Sequence, residues 1–501
     1  MPICVHSSNA STRRCAANAS RAWRRVRQPL LLFVAALVPR LALVLLLRLP
    51  IGLDDMFQYD MLARSLAAGH GYRWYAQPDL DLIQRYIGIQ VPPDYDPRGV
   101  PTSFRAPGYP AFLALVYTLS GSGPGRVLAA RIAQAVLGAA LAPLTWALAR
   151  EAGCGPRAST GAALAIACFP LLIAYTLALA SENLFTPLVA LALWLLLRAR
   201  ERDRTAGYAL AGLALGLAAL TRSTIGAFVP LAAVWAWAAR PWGSAALRSH
   251  LRQWAARAAG LTLAFLAVIA PWVARNSRLH GRLTWLETSL GYNLYLGYHP
   301  QSEGTFEYGI SLDLLPILDD AERDARGREA AWRFVRDDPE RVPLLVARKA
   351  GYLWEMDLRA LTYFYSNGLL GRWPAWLLGV VLALDGLPWM GLATAALLGL
   401  AWGLPDRRKG LLLLLVVYYT AVHALTMAEP RFHVPLLPAL AVAAAGAFER
   451  GTLHRTRAAQ HALATLLIAA LLANWGLQVA QRWDTLVALF GPHGATLGLP
   501  Y

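Results

Sequence analysis

Hydrophobic residues fall along the chain in long blocks. Runs near 30–49, 128–149, 160–179, 183–198, 206–221, 224–239, 258–274, 386–404, 410–427, 432–448 and 461–480 are almost purely apolar. A helix needs roughly 20 such residues to cross a bilayer core, so the runs predict about eleven transmembrane helices, some only just long enough. Polar residues collect in two long connections, near 50–127 and 275–385. In the first, Tyr59, Leu62, Ala63 and Leu66 recur at helical spacing, Asp60 and Arg64 stand as an i,i+4 pair, and Gly69 is a stop signal. This predicts a helix from Met56 to Ala68 lying on the membrane surface. Residues 77–107, with Pro78, Pro92, Pro93, Pro97, Pro101 and Pro107, read as loop. A further helix begins at Pro107 in "PGYPAFLALVYTLSG". The second connection carries "DDAERDARGREAAWRFVRDDPERVPLLVARKAGYLWEMD" from Asp319, which reads as two amphipathic helices broken near Pro339. The expected fold class is an all-α polytopic membrane protein with outer juxtamembrane helices. Its parts are a basic cytoplasmic stretch at 1–28, a transmembrane module at 29–275 with its first outer loop at 50–127, a small extracytoplasmic helical subdomain at 276–385, transmembrane helices at 386–482 and an outer tail at 483–501.

Composition agrees: 57% of residues are hydrophobic and 15% charged, against about 25% charged in soluble domains. The net charge of +17 suggests nucleic acid until its distribution is read. Arginines crowd the N-terminus (Arg13, Arg14, Arg21, Arg24, Arg25, Arg27) and then alternate connections, with Arg150 and Arg157, Arg198 to Arg204, Arg240 to Arg257, Arg407 to Lys409, and Arg450 to Arg457. That is the positive-inside pattern; it puts the N-terminus in the cytoplasm, the two long connections outside, and leaves no role for nucleic acid. The first 28 residues, rich in Arg, Ser and Ala, share the composition of a transit peptide; a cleavable signal peptide is not expected, because the following apolar run is long and meets Arg48 and Pro50 with no small-x-small cleavage site. Cys4, Cys15 and Cys154 fall on the inner side and Cys168 within a span, so no outer disulfide is expected. No Walker loop, strand-associated GxGxxG, HExxH or GxSxG occurs, which argues against ATP-driven transport and soluble cofactor chemistry.

The chemistry-bearing candidates lie at the predicted outer ends of spans. Asp54 and Asp55 adjoin where the first span ends. A helix N-cap explains one of them; it does not explain two carboxylates that repel and raise each other's pKa. A carboxylate beside low-dielectric surroundings suits general-base work. Glu182 in "LASENLFTPL" either follows a Ser181 N-cap on the positive end of a helix or supplies a second acid level with Asp55. Arg105, Arg222, Arg275 and Arg431 either snorkel to headgroups or together form a phosphate site, which Arg binds in bidentate fashion. His299, His423 and His433 show no metal-ligand spacing. A different class fits the same acids: a lipid-carrier or solute transporter using them as a proton relay, although few acids lie inside the spans and Asp385 is at an edge. A noncatalytic assembly subunit is a third reading.

The segments "DDMFQYDMLARSLAAGHGY", "SFRAPGYPAFLALVY", "ARIAQAVLGA", "LASENLFTPL", "GLAALTRSTIGAFVPL", "APWVARNSRLHGRLTWLETSLGYNLYLGYHP" and "EPRFHVPLLPAL" cover about residues 30 to 450. In this order they resemble the GT-C membrane glycosyltransferases that use polyprenyl-phosphate-linked sugars, in particular bacterial relatives of protein O-mannosyltransferases and of the lipid A aminoarabinose transferase. The resemblance implies a GT-C fold in a bacterial inner membrane, with the active site facing the extracytoplasmic side. It implies Asp55, four residues before Tyr59, as the base that deprotonates an acceptor hydroxyl, with Asp54 and Glu182 as the other catalytic acids. Donor phosphate falls to Arg105, Arg275, Arg431 and Arg222, and substrate contacts to Tyr59, Tyr109, Asn276 and His433. The implied partners are a polyprenyl-phosphate-linked sugar, a lipid, glycan or protein acceptor, and membrane lipids. No cofactor is required; a divalent metal is compatible with the resemblance but supported by no ligand spacing. The chain departs from the family in carrying Met56 where a second acid is usual, and Gly297, Tyr298, His299 and Pro300 where Gly-Asn-Asn-Pro is common.

Overall fold

The computed structural model describes residues 8–47, 49–52, 54–89, 91–238, 247–402, 406–448 and 458–499, with side chains from residue 27 onward except at 238, 247–249, 360 and 406–407. Each apolar run forms helix. Among the described residues, seven helices are long and apolar enough to span alone: Arg27–Leu46, Arg126–Glu151, Glu182–Glu201, His250–His280, Ala375–Trp402, Arg408–Leu425 and Ala458–Gln481. The run expected to continue straight through 160–179 is instead two helices, Pro156–Ala167 and Pro170–Leu177, meeting at 48°. Pro170 has no N–H to give and forces Phe169 into extended backbone (φ −66°, ψ 115°), so the first helix ends there. Cys168 therefore lies at the break, while Cys154 is buried with its Sγ 3.8 Å from the Val442 carbonyl. The carbonyls released by the break are met by Arg40, fully buried in the first span: Nη1 donates to Ala36 and Ala167 at 2.8 Å each, and Nη2 to Ile166 at 3.4 Å.

Helices Thr205–Thr221 and Ser223–Trp237 are shorter. The first packs closely on Leu247–His280 through Gly212 and Gly216, where a Cβ would lie 2.1 Å from the Leu261 carbonyl and 2.7 Å from Val268. This small-xxx-small spacing lets apolar helices meet where no hydrophobic force drives them together. Arg198 pairs with Glu151 at 3.8 Å, Arg257 with Asp203, and Arg408 with Glu201 at 2.8 Å, so four basic connections share one end of the bundle. Arg240, Arg450, Arg455, Arg457 and Cys4 lie outside the described residues.

At the other end the two long connections form one cap. Helix Asp55–Ala67 is not laid on a surface: most of its residues are buried, because Gly108–Ser120 packs along it and covers the face that periodicity leaves toward lipid. Asp60 and Arg64 pair at 2.8 Å as expected. The proline-rich stretch is less irregular than expected. Pro78 sits in the first turn of a short helix, Gln77–Ile83, and Arg73–Trp74 pairs antiparallel with Val100–Pro101. The second connection supplies Leu290–Tyr298, Asp320–Asp337, Arg341–Leu353 and Leu358–Ser366, with the predicted break around Pro339. Trp74 and Phe104 of the first connection share a core with Tyr292 and Leu314 of the second. Asp320 fastens the join, accepting from Thr102 Oγ1 at 2.6 Å and Ser103 N at 2.7 Å.

Lys349 joins this cap to the bundle. Fully buried, it donates to the Thr426 carbonyl at 2.9 Å and stands 3.5 Å from the Tyr298 ring centre. Burial, with Arg341 nearby, pushes its ammonium down to about 7. The folded state thus binds this proton more weakly than the unfolded chain, whose lysine titrates near 10.4. Stability contributed by Lys349 rises as pH climbs from about 7 toward about 10. Thermal midpoints measured across that range are expected to rise in the wild type and to rise less in Lys349→Met; equal slopes would count against this.

Candidate active site

Four segments far apart in sequence deliver charged side chains to one place beneath the cap. Asp54 is the N-cap of Asp55–Ala67, its Oδ1 accepting from Met56 N at 2.8 Å, which leaves Asp55 in the first turn and pointing elsewhere. Arg105 arrives on the loop before Gly108–Ser120. That loop lies against the end of Thr205–Thr221 because residue 108 is glycine: a Cβ there would stand 2.8 Å from both the Leu220 carbonyl and Thr221 Oγ1. Arg222 follows immediately after the same helix, and Arg431 comes from the tight turn Pro430–Leu436.

Two of these arginines grip one carboxylate. Arg105 Nη2 donates to Asp55 Oδ1, and Arg431 Nη1 lies 3.0 Å from Oδ2. Gln58 Oε1 holds the Arg105 Nε at 2.9 Å, and the guanidinium lies 5.6 Å from the Tyr59 ring and 5.3 Å from the Phe104 ring. Burial alone raises the Asp55 carboxyl, but Arg105, Arg431 and Arg222 outweigh it and hold the group at about 2. Asp54 is an exposed residue at the start of the same helix. The dense protein around it, followed by the charge of Asp55, pushes it up to about 6.

Arg222 pairs with Glu182, which is buried, and also donates to Ser181 Oγ at 3.3 Å. Ser181 stands at the N-cap position of Glu182–Glu201, but its backbone is already helical and its hydroxyl makes no capping hydrogen bond. Its side chain is drawn instead to the Arg222–Glu182 pair. Arg222 and Arg431 lie 4.8 and 5.6 Å from the Phe432 ring. Tyr59 is edge-on to Tyr109 with ring centres 4.9 Å apart, so Tyr59 lines the site while Tyr109, fully buried, donates to Gln134 behind it.

The remaining candidates stand apart from the Asp55 cluster. Arg275 donates to the Thr102 carbonyl at 2.6 Å and the Tyr72 carbonyl at 3.3 Å, tying a loop down. Asn276 is buried and donates to the Trp285 and Leu286 carbonyls at 2.8 and 3.2 Å. His433 lies flat on Trp389 at 3.7 Å and meets the Leu353 carbonyl at 3.1 Å.

Residue patterns missed several neighbours. Glu429, 1% exposed, lies 2.9 Å from Arg431 Nε and 3.8 Å from Arg359. Asp357 is buried close by; burial first and then Glu429 push its carboxyl up to about 6. Glu287 accepts from Ser223 near Arg105. Glu429 and Glu287 had a signal, since both stand in quoted motifs, Glu429 two residues before Arg431; Asp357 had none. Among the described residues no group of three or more His, Cys, Asp or Glu is placed to hold a metal ion.

Over most of its length the chain is similar to a solved membrane enzyme, the apo oligosaccharyltransferase of Archaeoglobus fulgidus: 16% identity, TM-score 0.50, covering 94% of this chain and 59% of that one. The fold is GT-C. The same archaeal enzyme tethered to an acceptor peptide containing the NVT sequon matches this GT-C chain at 15% identity and TM-score 0.50, over 96% of this chain and 56% of that one. ArnT from Cupriavidus metallidurans bound to undecaprenyl phosphate is similar at 16% identity and TM-score 0.48, over 92% and 64%. The chain thus spans less than two thirds of the length of these structures. Residues 104–274 match the family model of dolichyl-phosphate-mannose-protein mannosyltransferase. That segment holds Arg105, Tyr109, Glu182 and Arg222 of this GT-C chain. No curated protein matches it significantly.

Proposed function

We propose that this protein is a multi-pass membrane glycosyltransferase that moves a sugar from a polyprenyl-phosphate donor to an acceptor hydroxyl, on the extracytoplasmic side of a bacterial inner membrane. The observation that carries this reading is the convergence of Arg105 and Arg431 on the carboxylate of Asp55, beneath a cap at the end of the bundle opposite the basic connections. The mannosyltransferase family match over 104–274 supports the reaction class.

In the proposed reaction the acceptor oxygen attacks the anomeric carbon as Asp55 takes its proton. The bond from that carbon to the phosphate oxygen breaks, and its electron pair leaves with the polyprenyl phosphate. One displacement inverts the anomeric centre and needs a single base, in contrast with the nucleophile-plus-acid pair of retaining glycosidases. Negative charge that builds on the leaving phosphate falls between prepositioned guanidinium groups, which stabilise it more than the ground state. Arg105 and Arg431 are the donor-phosphate residues; Arg222 and Glu182 hold the adjoining wall. Arg275, Asn276 and His433 serve this reading by fixing the cap and the bundle.

The test is transfer of labelled sugar from a panel of polyprenyl-phosphate sugars to a delipidated envelope fraction. Wild type is expected to transfer from at least one donor. Arg105→Ala is expected to raise the donor KM about tenfold or more, the loss of one charge-assisted bidentate contact. An unchanged donor KM would assign Arg105 to the headgroup region, and no transfer from any donor would move the weight to flux assays for a transporter.

A further inference from the structure

Asp55 holds a position that the proposed base does not need. Each of its oxygens faces a different arginine, Oδ1 toward Arg105 and Oδ2 toward Arg431 at 3.0 Å, so a single carboxylate bridges two cations. That is the geometry a phosphate takes between two guanidinium groups. Neither arginine depends on Asp55 for its place. Arg105 is held by Gln58 at 2.9 Å and by the Tyr59 and Phe104 rings. Arg431 is held by Glu429 at 2.9 Å, and Glu429 by Arg359 at 3.8 Å. Arg359 is anchored in turn on Thr305 Oγ1 at 2.9 Å and the Phe306 carbonyl at 2.7 Å. The arginines form a built frame, and the carboxylate lies between them. All three remain reachable, with side-chain exposures of 23% for Arg105, 24% for Arg431 and 28% for Asp55.

We propose that Asp55 is the internal occupant of the donor-phosphate site, and that an incoming lipid phosphate takes Arg105 and Arg431 from it, so that donor binding itself releases the base. This rests on the reading of Asp55 as base and Arg105 and Arg431 as phosphate ligands. No bond forms or breaks; ion pairs are exchanged. A carboxylate clamped at about 2 is a feeble proton acceptor, and one that has lost its arginines returns to the ordinary range or above it, because burial acts in that direction. The exchange therefore imposes an order. The acceptor hydroxyl meets a competent base only when the donor is in place, and a lone acceptor is not deprotonated.

The consequence that separates this from a simple binding role is one of sign. Asp55→Asn removes the competitor, so the variant that cannot transfer sugar binds donor phosphate more tightly. The experiment measures binding of undecaprenyl phosphate, with undecaprenol as the phosphate-free control, to the full-length protein in nanodiscs. The expected result is affinity about tenfold higher in Asp55→Asn than in wild type, equivalent to ~1.4 kcal/mol, with a smaller change in Asp54→Asn. Asp55→Ser replaces the Asn variant if that protein is not monodisperse. Equal or weaker binding by the Asp55 variant overturns the proposal while leaving the glycosyltransferase reading intact. The same gain in Asp54→Asn reduces the effect to general charge and overturns it too. Wild type that binds undecaprenyl phosphate no better than undecaprenol overturns both this proposal and the donor assignment.

Discussion

Asp55→Asn is expected to abolish sugar transfer, by more than the 10²- to 10⁴-fold that loss of a general base typically costs, in a protein that stays folded. The structure gives the reason for both halves. The amide keeps the shape of the carboxylate but accepts no proton from an acceptor hydroxyl. The arginines it leaves are not stranded, since Arg105 retains Gln58 and Arg431 retains Glu429. The neighbouring substitution is the control. Asn caps a helix about as well as Asp, so Asp54→Asn changes charge while the bond from Met56 N is kept, and most activity is expected to survive. Transfer assays on both variants decide the matter: an active Asp55→Asn enzyme sinks the assignment, and loss confined to Asp54→Asn moves it by one residue.

The largest loss of stability is expected one turn further along the same helix. Asp60, 1% exposed, accepts from Arg64 Nε at 2.8 Å, from Arg126 Nε and Nη2 at 2.8 and 2.9 Å, and from the Tyr117 hydroxyl at 2.9 Å. It is where helices Asp55–Ala67, Gly108–Ser120 and Arg126–Glu151 are joined. Asp60→Ala leaves two guanidinium groups and a phenol facing each other around a hole. Removing one partner of a buried ionic network costs about 3–5 kcal/mol, and Asp60→Asn, which still accepts hydrogen bonds, costs less. Thermal unfolding in detergent is the measurement, and midpoints within a degree of wild type for Asp60→Ala would refute the hub. The pH dependence has a definite sign. Burial raises the Asp60 carboxyl, but Arg126 and Arg64 overcome it and hold the group below its ordinary value. The stabilisation is complete above about 4, where unfolded carboxylates are ionised, and is lost as pH falls through the lower folded value.

How far sequence reading reached depended on whether a residue's partner lies nearby in the chain. Apolar runs announce membrane helices because every residue in them faces the same solvent, and each such run is helical here. The Asp60–Arg64 pair and the break near Pro339 were legible for the same local reason. The bend at Cys168 was legible in part, since Pro170 disfavours helical backbone at Phe169, but Pro143, Pro187 and Pro271 sit inside unbroken helices, so a proline in an apolar run does not by itself mark a break. Arg275 and Arg431 could not be told apart at all. Both follow an apolar run, yet one is spent on the carbonyls of a loop 173 positions away and the other on Asp55. Asp357 escaped notice because its meaning comes from Glu429, which only the folded cap brings beside it.

Arg40 has a consequence for the birth of the protein. Its partner Ala167 stands 127 residues later in the chain, so the first span is made long before the carbonyls that satisfy it. At synthesis rates of about 5–20 residues per second the gap is on the order of ten seconds. During it a guanidinium sits within an apolar segment whose insertion it opposes by roughly 2.5–3.5 kcal/mol. The rest of the run is hydrophobic enough to enter lipid regardless, and the second span, Arg126–Glu151, already packs on the first through Ala139 and Ala142. What waits for the broken helix is the guanidinium itself, whose cross-helix carbonyls arrive only with the third span.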